Sequence, residues 1–388
     1  MNYYERALAL REETVAHRRR IHADAEVGLD LPVTREYVKN ALKEMGLAPE
    51  DCGYGVTATL GKGGKCILLR ADMDALPMAE ESGEPFASTN GAAHTCGHDF
   101  HAAMLLTAAK LLKEKEEELP GRVKFMFQPA EETFEGARNM MENGILEGVD
   151  GALAFHVTTG KVPVGLFMYN SGGAMMASVD GFRIEVAGKG AHGAMPHKSV
   201  DPINIAVHIY TALEALIARE TNPQKMCVMT VGKFQAGTAA NIIPETALLE
   251  GTIRTDHKDS REKLVRRMRE VAEGTARLYG GEATVTMTSG VPPLVCEKDH
   301  TDAMVRYMQE LKVPGLRPYP GVTATASEDF AAIAEKVPAT FMHLGAGFFD
   351  DRGAYPAHNP KVRFNEDVCP LGAAAYAHCA HRWLEEHR

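Results

Sequence analysis

The 388-residue sequence contains no apolar run long enough to span a bilayer, which excludes a helical membrane protein. Its first twenty residues, MNYYERALALREETVAHRRR, are charged throughout and lack the apolar stretch of a secretory signal. Internal repeats and low-complexity tracts are absent as well. Lys and Arg number 42 against 52 Asp and Glu, and the net charge of −10 repels polyphosphate. We therefore expect neither a membrane nor nucleic acid as a partner.

Cysteine is scarce, and its pattern indicates a reducing compartment. The seven cysteines are odd in number and scattered from Cys52 to Cys379, which does not fit a disulfide framework. We expect a cytoplasmic protein. Six of them suit an apolar core: Cys52, Cys66, Cys227, Cys296, Cys369 and Cys379. Cys96 lies in His-Thr-Cys-Gly-His-Asp, a polar setting that favours metal ligation.

The length of the chain predicts two domains, because it exceeds the usual limit of one hydrophobic core. Strand and helix patterns alternate near both ends, which is typical of an α/β fold. Between them the order is β-α-β-β-α-β, the pattern of a small ferredoxin-like sandwich. We predict a discontinuous α/β domain with a mostly parallel central sheet over residues 1–178 and 292–388. An inserted βαββαβ domain would occupy residues 179–291.

Local patterns near the N-terminus predict individual elements. Amphipathic segments predict helices over residues 3–23 and 35–44, the second ended by Gly46. The apolar runs GVTATLG and KCILLRA are joined by Lys62–Gly64, which predicts a β-hairpin.

Five short motifs concentrate side chains suited to metal binding and acid–base chemistry. They are RADMDALP (70–77), HTCGHD (94–99), QPAEE (128–132), FHV (155–157) and AHNP (357–360). Three of them directly follow a predicted strand, and ligands of open α/β sheets bind beyond the carboxyl ends of strands. We therefore expect these motifs to converge at one edge of the sheet.

The donor types in these motifs favour a transition metal. A thiolate, imidazoles and a carboxylate suit zinc, manganese, cobalt or nickel better than magnesium or calcium. The candidate donors exceed what one tetrahedral ion uses with an open position, so two ions bridged by hydroxide fit better. Glu131 and Glu132 are adjacent at a strand end, so one can bind metal while the other acts as a base. His94 and His101 are alternative ligands, although a role in packing or in orienting a ligand suits His101 better.

Together with GKGAHGAMPH and AANIIP, these motifs resemble the aminoacylase, hippurate hydrolase and indole-acetyl-amino-acid hydrolase group of dinuclear metallo-amidohydrolases. The resemblance covers nearly the whole chain in the same order. It implies two divalent metal ions per subunit, with ligands at five positions: Cys96, His98, Glu132, His156 and His358. It makes Glu131 the general base and gives residues 1–178 and 292–388 the catalytic role.

The resemblance also implies roles for the inserted domain as a lid and dimerisation domain. His192 would bind the oxyanion, in the active site of the partner subunit of a homodimer. Asn241 and Arg254 match positions that hold the substrate and its free carboxylate. A turn role for Asn241 and a strand-face salt bridge for Arg254 are the alternatives.

One departure concerns the start of the metal site. Related zinc carboxypeptidases have a His-x-Asp string where this chain has Asp72-Met73-Asp74, so their ligand should not be transferred to Asp72. Asp74 would orient an imidazole, or serve a structural role instead.

The resemblance implies an enzyme that hydrolyses the amide bond of N-acyl-L-amino acids, with acetyl or aromatic acyl groups. A dipeptidase or carboxypeptidase on the same scaffold is the first alternative, so the substrate would be a small N-acyl amino acid or a dipeptide. A non-catalytic metal-binding scaffold is the second, and it would be favoured if a ligand or Glu131 were missing.

Overall fold

The computed structural model describes residues 2–388, which form two compact units. Unit 1 comprises the residues up to Met175, Val295–Val322 and Asp329–Arg388. Unit 2 comprises Met176–Leu294 and Thr323–Glu328. Within residues 2–388, none of the helices combines the length and the apolar character that crossing a membrane requires.

The α-helices begin and end as follows along the chain: α1 (Tyr3–Ala9), α2 (Arg11–Ala23), α3 (Pro32–Glu44), α4 (His98–Lys113), α5 (Gly136–Glu142), α6 (Pro202–Glu220), α7 (Lys258–Leu278), α8 (Lys298–Glu310), α9 (Phe330–Ala334) and α10 (Cys369–Glu386).

The strands are β1 (Glu50–Cys52), β2 (Gly55–Gly61), β3 (Cys66–Asp72), β4 (Arg122–Gln128), β5 (Gly151–Thr158), β6 (Leu166–Tyr169), β7 (Ala174–Met176), β8 (Val179–Ala187), β9 (Ala191–His192), β10 (Cys227–Ala236), β11 (Ile242–Ile243), β12 (Thr246–Thr255), β13 (Glu282–Val291), β14 (Leu294–Val295), β15 (Arg317–Pro320) and β16 (Ala339–Gly345).

Unit 1 is built on an eight-stranded sheet with the order β1-β2-β4-β3-β5-β16-β6-β15. The central pairings β4-β3, β3-β5 and β5-β16 are parallel, and so is β6-β15, while the remaining pairings are antiparallel. Every residue of β3 is buried, as expected for a strand covered on both faces of a parallel sheet. The predicted α/β fold with a mostly parallel central sheet is confirmed.

Helix α4 lies in the core of unit 1. It is apolar around almost its whole circumference, from Phe100 to Leu112, and packs against β3, α2 and α10. The single helix predicted over residues 3–23 is wrong, because α1 and α2 are separated at Leu10. The Leu10 N–H is shared between the carbonyls of Arg6 and Ala7, which ends α1 and lets it pack on α10 while α2 packs on α4.

The predicted hairpin between β2 and β3 is also wrong. Strand β4 lies between them, antiparallel to β2 and parallel to β3. In β4 the apolar residues Val123 and Phe125–Phe127 are all buried and Lys124 is partly buried, whereas β2 has an exposed residue at Thr59. The more apolar strand therefore takes the interior place beside β3, and β2 is displaced outwards.

Unit 2 has the predicted β-α-β-β-α-β order, formed by β8, α6, β10, β12, α7 and β13. Its antiparallel sheet has the order β10-β12-β8-β13, the strand arrangement of a ferredoxin-like sandwich. Helix α7 buries one stripe four residues apart along the helix: Leu264, Met268, Ala272 and Ala276. These side chains form a separate hydrophobic core with α6 and the sheet. The inserted domain predicted as part of the fold class is confirmed.

Candidate metal centre

The three strand-end motifs of unit 1 lie at the same edge of the sheet. Strand β3 ends at Asp72, opposite Gln128 at the end of the parallel strand β4. Strand β5 runs parallel to β3 on its other side and carries His156 near its end. The chain turns back directly after β4, and Ala130 adopts a positive φ of 52° just before Glu131. This turn directs the paired glutamates towards the edge of the sheet.

Cys96 and His98 are brought to this edge by the glycine between them. Gly97 precedes α4 with a φ of 93°, in the left-handed region that favours glycine. A Cβ atom at Gly97 would lie 2.4 Å from Cγ2 of Val157. Only glycine therefore permits both the backbone turn and the close approach of this loop to β5.

The six predicted metal-site and base residues meet within one small region of unit 1. The Sγ atom of Cys96 lies 3.4 Å from Nε2 of His156 and 3.4 Å from Nε2 of His358. Nε2 of His358 is 3.3 Å from Oε1 of Glu132. Nε2 of His98 is 3.9 Å from a carboxylate oxygen of both Glu131 and Glu132.

Two overlapping groups of these donors share Cys96. In the first, donor atoms of Cys96, His98 and His156 lie within 4.8 Å of one another, and in the second those of Cys96, Glu132 and His358 do. The thiol of Cys96 belongs to both groups. The arrangement has the donor types and the closeness that a pair of adjacent transition-metal ions requires.

Hydrogen bonds orient two of the imidazoles so that their Nε2 atoms are free to bind a cation. Nδ1 of His98 lies 3.1 Å from Oδ1 of Asp74, and Nδ1 of His156 lies 2.6 Å from the Val157 carbonyl oxygen. An acceptor beside each Nδ1 makes that nitrogen the donor, so in the neutral ring Nε2 carries the lone pair. Within residues 2–388, the buried Nε2 of His98 has no hydrogen-bond partner. An orphaned buried nitrogen facing carboxylates is the environment that a bound cation would complete.

Burial dominates the electrostatics of the centre. It raises the pKa of the Cys96 thiol to about 12, against the opposing effect of His98, so binding a cation there would release a proton. Burial is the main cause that lowers the pKa of His156, and it keeps the ring in the neutral form that ligates metal. The pKa of Glu132 is lowered because His358 and His98 outweigh its desolvation.

His358 is held in a strained backbone conformation. Its φ is 65°, although it is not glycine, and its N–H donates to the Thr95 carbonyl oxygen at 2.9 Å. Such conformations cost about 1–3 kcal/mol and persist where the surroundings impose them. The bond to Thr95 ties the AHNP loop to the residue next to Cys96.

Sequence reasoning missed a buried ionic network behind the centre. Arg70 is fully buried and donates to Asp72 at 2.6 Å, to Gln128 at 2.8 Å and to Asp329 at 3.0 Å. Oδ2 of Asp72 lies 3.8 Å from Nε2 of His98, next to the proposed ligands. The sequence does carry a signal for this network, because Arg70 is a charged residue within the otherwise apolar run Ile67–Ala71. An arginine that is buried in a strand requires paired acceptors.

A second missed network anchors the first turn of α4. Asp99 accepts from Nε of Arg18 at 2.7 Å and from Nδ1 of His22 at 2.8 Å, and all three side chains are buried. Arg18 also lies over the Phe100 ring, 4.4 Å from its centroid. No local pattern in α2 links it to the CGHD motif, so only the tertiary structure reveals this contact.

The predicted substrate residues lie in unit 2. His192 and Asn241 are exposed neighbours, since β9 pairs with β11 and the Gly193 N–H donates to the Asn241 carbonyl oxygen at 2.8 Å. Arg254 lies apart from them on β12, where it donates to Oγ of Ser327 at 2.8 Å. It also donates to the Thr325 carbonyl oxygen at 3.3 Å, and since both acceptors are uncharged, neither neutralises the guanidinium.

Known proteins with similar sequences span nearly the whole chain. The sequence profile of peptidase family M20/M25/M40 matches residues 68–382. The chain is 37% identical to an N-acetyl-L-cysteine deacetylase of Bacillus subtilis over 363 residues, covering 92% of this chain and 85% of the relative. It is 36% identical over 371 residues to thermostable carboxypeptidase 2 of Saccharolobus solfataricus, covering 93% and 92%.

A solved structure has the same fold. The Bacillus subtilis protein described as a dinuclear metal binding peptidase from the M20 family superposes with a TM-score of 0.83. It is 32% identical, and the match covers 97% of this chain and 99% of that one. The resemblance inferred from the motifs is thereby confirmed.

Proposed function

The chain belongs to peptidase family M20/M25/M40, and on that premise we propose that it is a metal-dependent amidohydrolase that cleaves N-acyl-L-amino acids. The products would be a carboxylic acid and a free amino acid. The relative named N-acetyl-L-cysteine deacetylase supports a small N-acyl substrate. The observation that carries the proposal is the pair of donor groups that share Cys96.

We propose that Cys96, His98, Glu132, His156 and His358 hold two divalent ions, which would be zinc, manganese, cobalt or nickel. The mixed thiol, imidazole and carboxylate set supports these metals. Such ions polarise a carbonyl group and lower the pKa of bound water. Asp74 orients His98 by accepting its Nδ1–H, which leaves Nε2 towards the centre.

Glu131 is the proposed general base. Its side chain is only 7% exposed and lies beside Nε2 of His98, at the edge of the donor groups rather than within the pair that shares Cys96. A carboxylate at this place can take a proton from the attacking water and pass it to the leaving amine. Its neighbour Glu132 lies beside the same nitrogen and in addition approaches Nε2 of His358 at 3.3 Å, which places it in the group that contains Cys96.

The proposed roles in the remainder of the chain follow the sequence resemblance. Residues 1–178 and 292–388 form the catalytic domain, and residues 179–291 form a lid and dimerisation domain of a homodimer. His192 stabilises the oxyanion from the partner subunit, and Asn241 and Arg254 bind the substrate and its carboxylate. The cytoplasm is the proposed compartment.

A carboxypeptidase or dipeptidase activity is the second candidate. It is favoured by the 36% identity to thermostable carboxypeptidase 2, which is close to the identity with the deacetylase. Both reactions hydrolyse an amide next to a free carboxylate, so the same centre can serve either of them.

The test is a substrate panel of N-acetyl, N-benzoyl and indole-acetyl amino acids plus dipeptides, assayed after reconstitution with each metal. We expect faster hydrolysis of an N-acyl amino acid than of any dipeptide. A preference for dipeptides would establish the second candidate, and no hydrolysis with any metal would refute both.

Glu131→Gln tests the base within the same experiment. We expect turnover to fall by at least about 100-fold while metal content is retained, because general acid–base catalysis contributes about 10²–10⁴-fold. The control is Glu135→Gln, which neutralises an exposed glutamate of the same loop. Wild-type turnover by Glu131→Gln would show that another group is the base.

A further inference from the structure

His101 occupies a fully buried position between three segments of the proposed metal centre. It lies on α4 three residues after His98, so the two rings project from the same helix face, with centroids 5.4 Å apart. Its ring is 4.5 Å from that of His156 on β5. Despite this closeness, its two nitrogens are directed at other groups.

The hydrogen bonds of His101 determine its tautomer. The backbone N–H of Val157 donates to Nε2 of His101 at 2.8 Å, so Nε2 carries the lone pair. Nδ1 therefore carries the proton and donates to Oδ1 of Asp72 at 2.5 Å. With both nitrogens engaged by the protein, His101 has no lone pair left for a metal ion. The ligand role considered for it from the sequence is excluded by this geometry.

Each of these two bonds reaches a residue adjacent to the centre. Val157 follows His156, and it is also the residue that Gly97 approaches. Asp72 ends β3, two residues before Asp74, which holds His98. The Asp72 carboxylate is held on its other side by Arg70, so it is a firm anchor for the ring.

We propose that His101 is a positioning residue that joins the ends of β3 and β5 to the first turn of α4 and so sets the placement of His98 relative to His156. Without it, the Nε2 atoms of these two imidazoles no longer converge on Cys96. This inference rests on the proposed function and deepens it, because it concerns the geometry of the same metal pair. His101 itself touches neither metal nor substrate.

Three substitutions separate the two bonds. His101→Gln places an amide oxygen near the position of Nε2 and keeps an acceptor for the Val157 N–H. His101→Asn places an amide nitrogen near Nδ1 and keeps a donor for Asp72. His101→Phe fills similar volume and removes both bonds.

The matched control is His343→Phe. His343 is another imidazole beside His156, with ring centroids 5.5 Å apart, and within residues 2–388 its buried Nε2 has no hydrogen-bond partner. Its replacement therefore changes the packing around His156 without removing a bond at that nitrogen. A role of His101 in packing alone predicts similar behaviour for His101→Phe and His343→Phe.

The experiment titrates the 388-residue chain and each variant of it with Co²⁺ and records the stoichiometry, the affinity and the visible absorption spectrum. We expect His101→Phe to weaken Co²⁺ binding about 10- to 100-fold, the usual effect of removing a group that orients a ligand. Its spectrum should change as the coordination changes. His101→Gln and His101→Asn should each recover part of the affinity, and His343→Phe should bind like the wild type.

The outcomes distinguish this inference from the proposed function. Wild-type Co²⁺ affinity and spectrum in His101→Phe, or equal losses in His101→Phe and His343→Phe, would overturn the role of His101 alone. Failure of the wild-type protein to bind two Co²⁺ ions would overturn the proposed metal pair and this inference with it. If His101→Phe does not fold, the Gln and Asn variants carry the test, and wild-type binding by both would refute it.

Discussion

Gly97→Ala is the sharpest test of how the CGHD loop builds the metal centre. The alanine would have to adopt a φ of 93°, and left-handed backbone costs a non-glycine residue roughly 1–2 kcal/mol. Its Cβ would also lie 2.4 Å from Cγ2 of Val157 and 3.3 Å from the Phe364 ring. Inserting a methyl group into such a packed site adds about 1–3 kcal/mol. The expected total is roughly 2–5 kcal/mol.

Gly91→Ala provides a control with the same backbone cost and no steric conflict. Gly91 has a φ of 88°, and a Cβ there would meet nothing within 4 Å. It should therefore lose only about 1–2 kcal/mol. The difference between the two variants isolates the contact between the loop and β5.

The assay follows urea unfolding by the fluorescence of Trp383, which lies in unit 1, and measures zinc per chain after dialysis. Gly97→Ala should unfold at a clearly lower urea concentration than Gly91→Ala and bind less zinc, because Cys96 and His98 flank the displaced residue. Equal stability and equal zinc content in the two variants would refute the argument that this close contact places the ligands.

Three further predictions concern separate parts of the chain. Cys96→Ser should lose most bound zinc in an equilibrium-dialysis measurement, because both donor groups share that sulfur, whereas Cys227→Ser should retain it. Arg254→Met should lower kcat/KM for free-acid substrates roughly 10- to 100-fold, as expected from losing a charged hydrogen bond. When the carboxylate of the same substrates is amidated, the wild type and Arg254→Met should hydrolyse them with equal kcat/KM. Burial lowers the pKa of His300 to about 4, so the unfolded chain binds a proton that the folded chain excludes as pH falls from about 6.5 to 4. Between pH 7 and pH 5, the unfolding free energy of the wild type should therefore fall by about 2 kcal/mol more than that of His300→Asn. Urea unfolding of both proteins at the two pH values measures this difference.

Each of these has an outcome that contradicts it. Full zinc content in Cys96→Ser would remove the shared sulfur from the centre. An equal loss by Arg254→Met on acid and amide substrates would indicate a structural role, consistent with its bond to Ser327. A pH dependence of His300→Asn identical to the wild type would show that this imidazole does not differ between the folded and unfolded chains.

Local sequence determined much of the fold and the candidate site. The βαββαβ order of unit 2 follows from periodicity, because each element buries one face against the same small sheet. The position of Asp72, Gln128 and His156 at strand ends follows from where the apolar runs stop. Parallel strands bring such ends to one edge, so the convergence of the motifs was predictable without coordinates.

The tertiary structure alone decided the features that depend on competition between distant segments. Strand β4 displaced β2 from β3, because the pairing of strands is set by which run can be buried on both faces, not by nearness in the chain. The tautomer of His101 required knowledge of Val157 and Asp72, which are remote in sequence. The sequence shows which side chains can donate a lone pair to a metal ion. Which nitrogen of an imidazole carries that lone pair depends on the hydrogen-bond partner that tertiary packing places beside the ring.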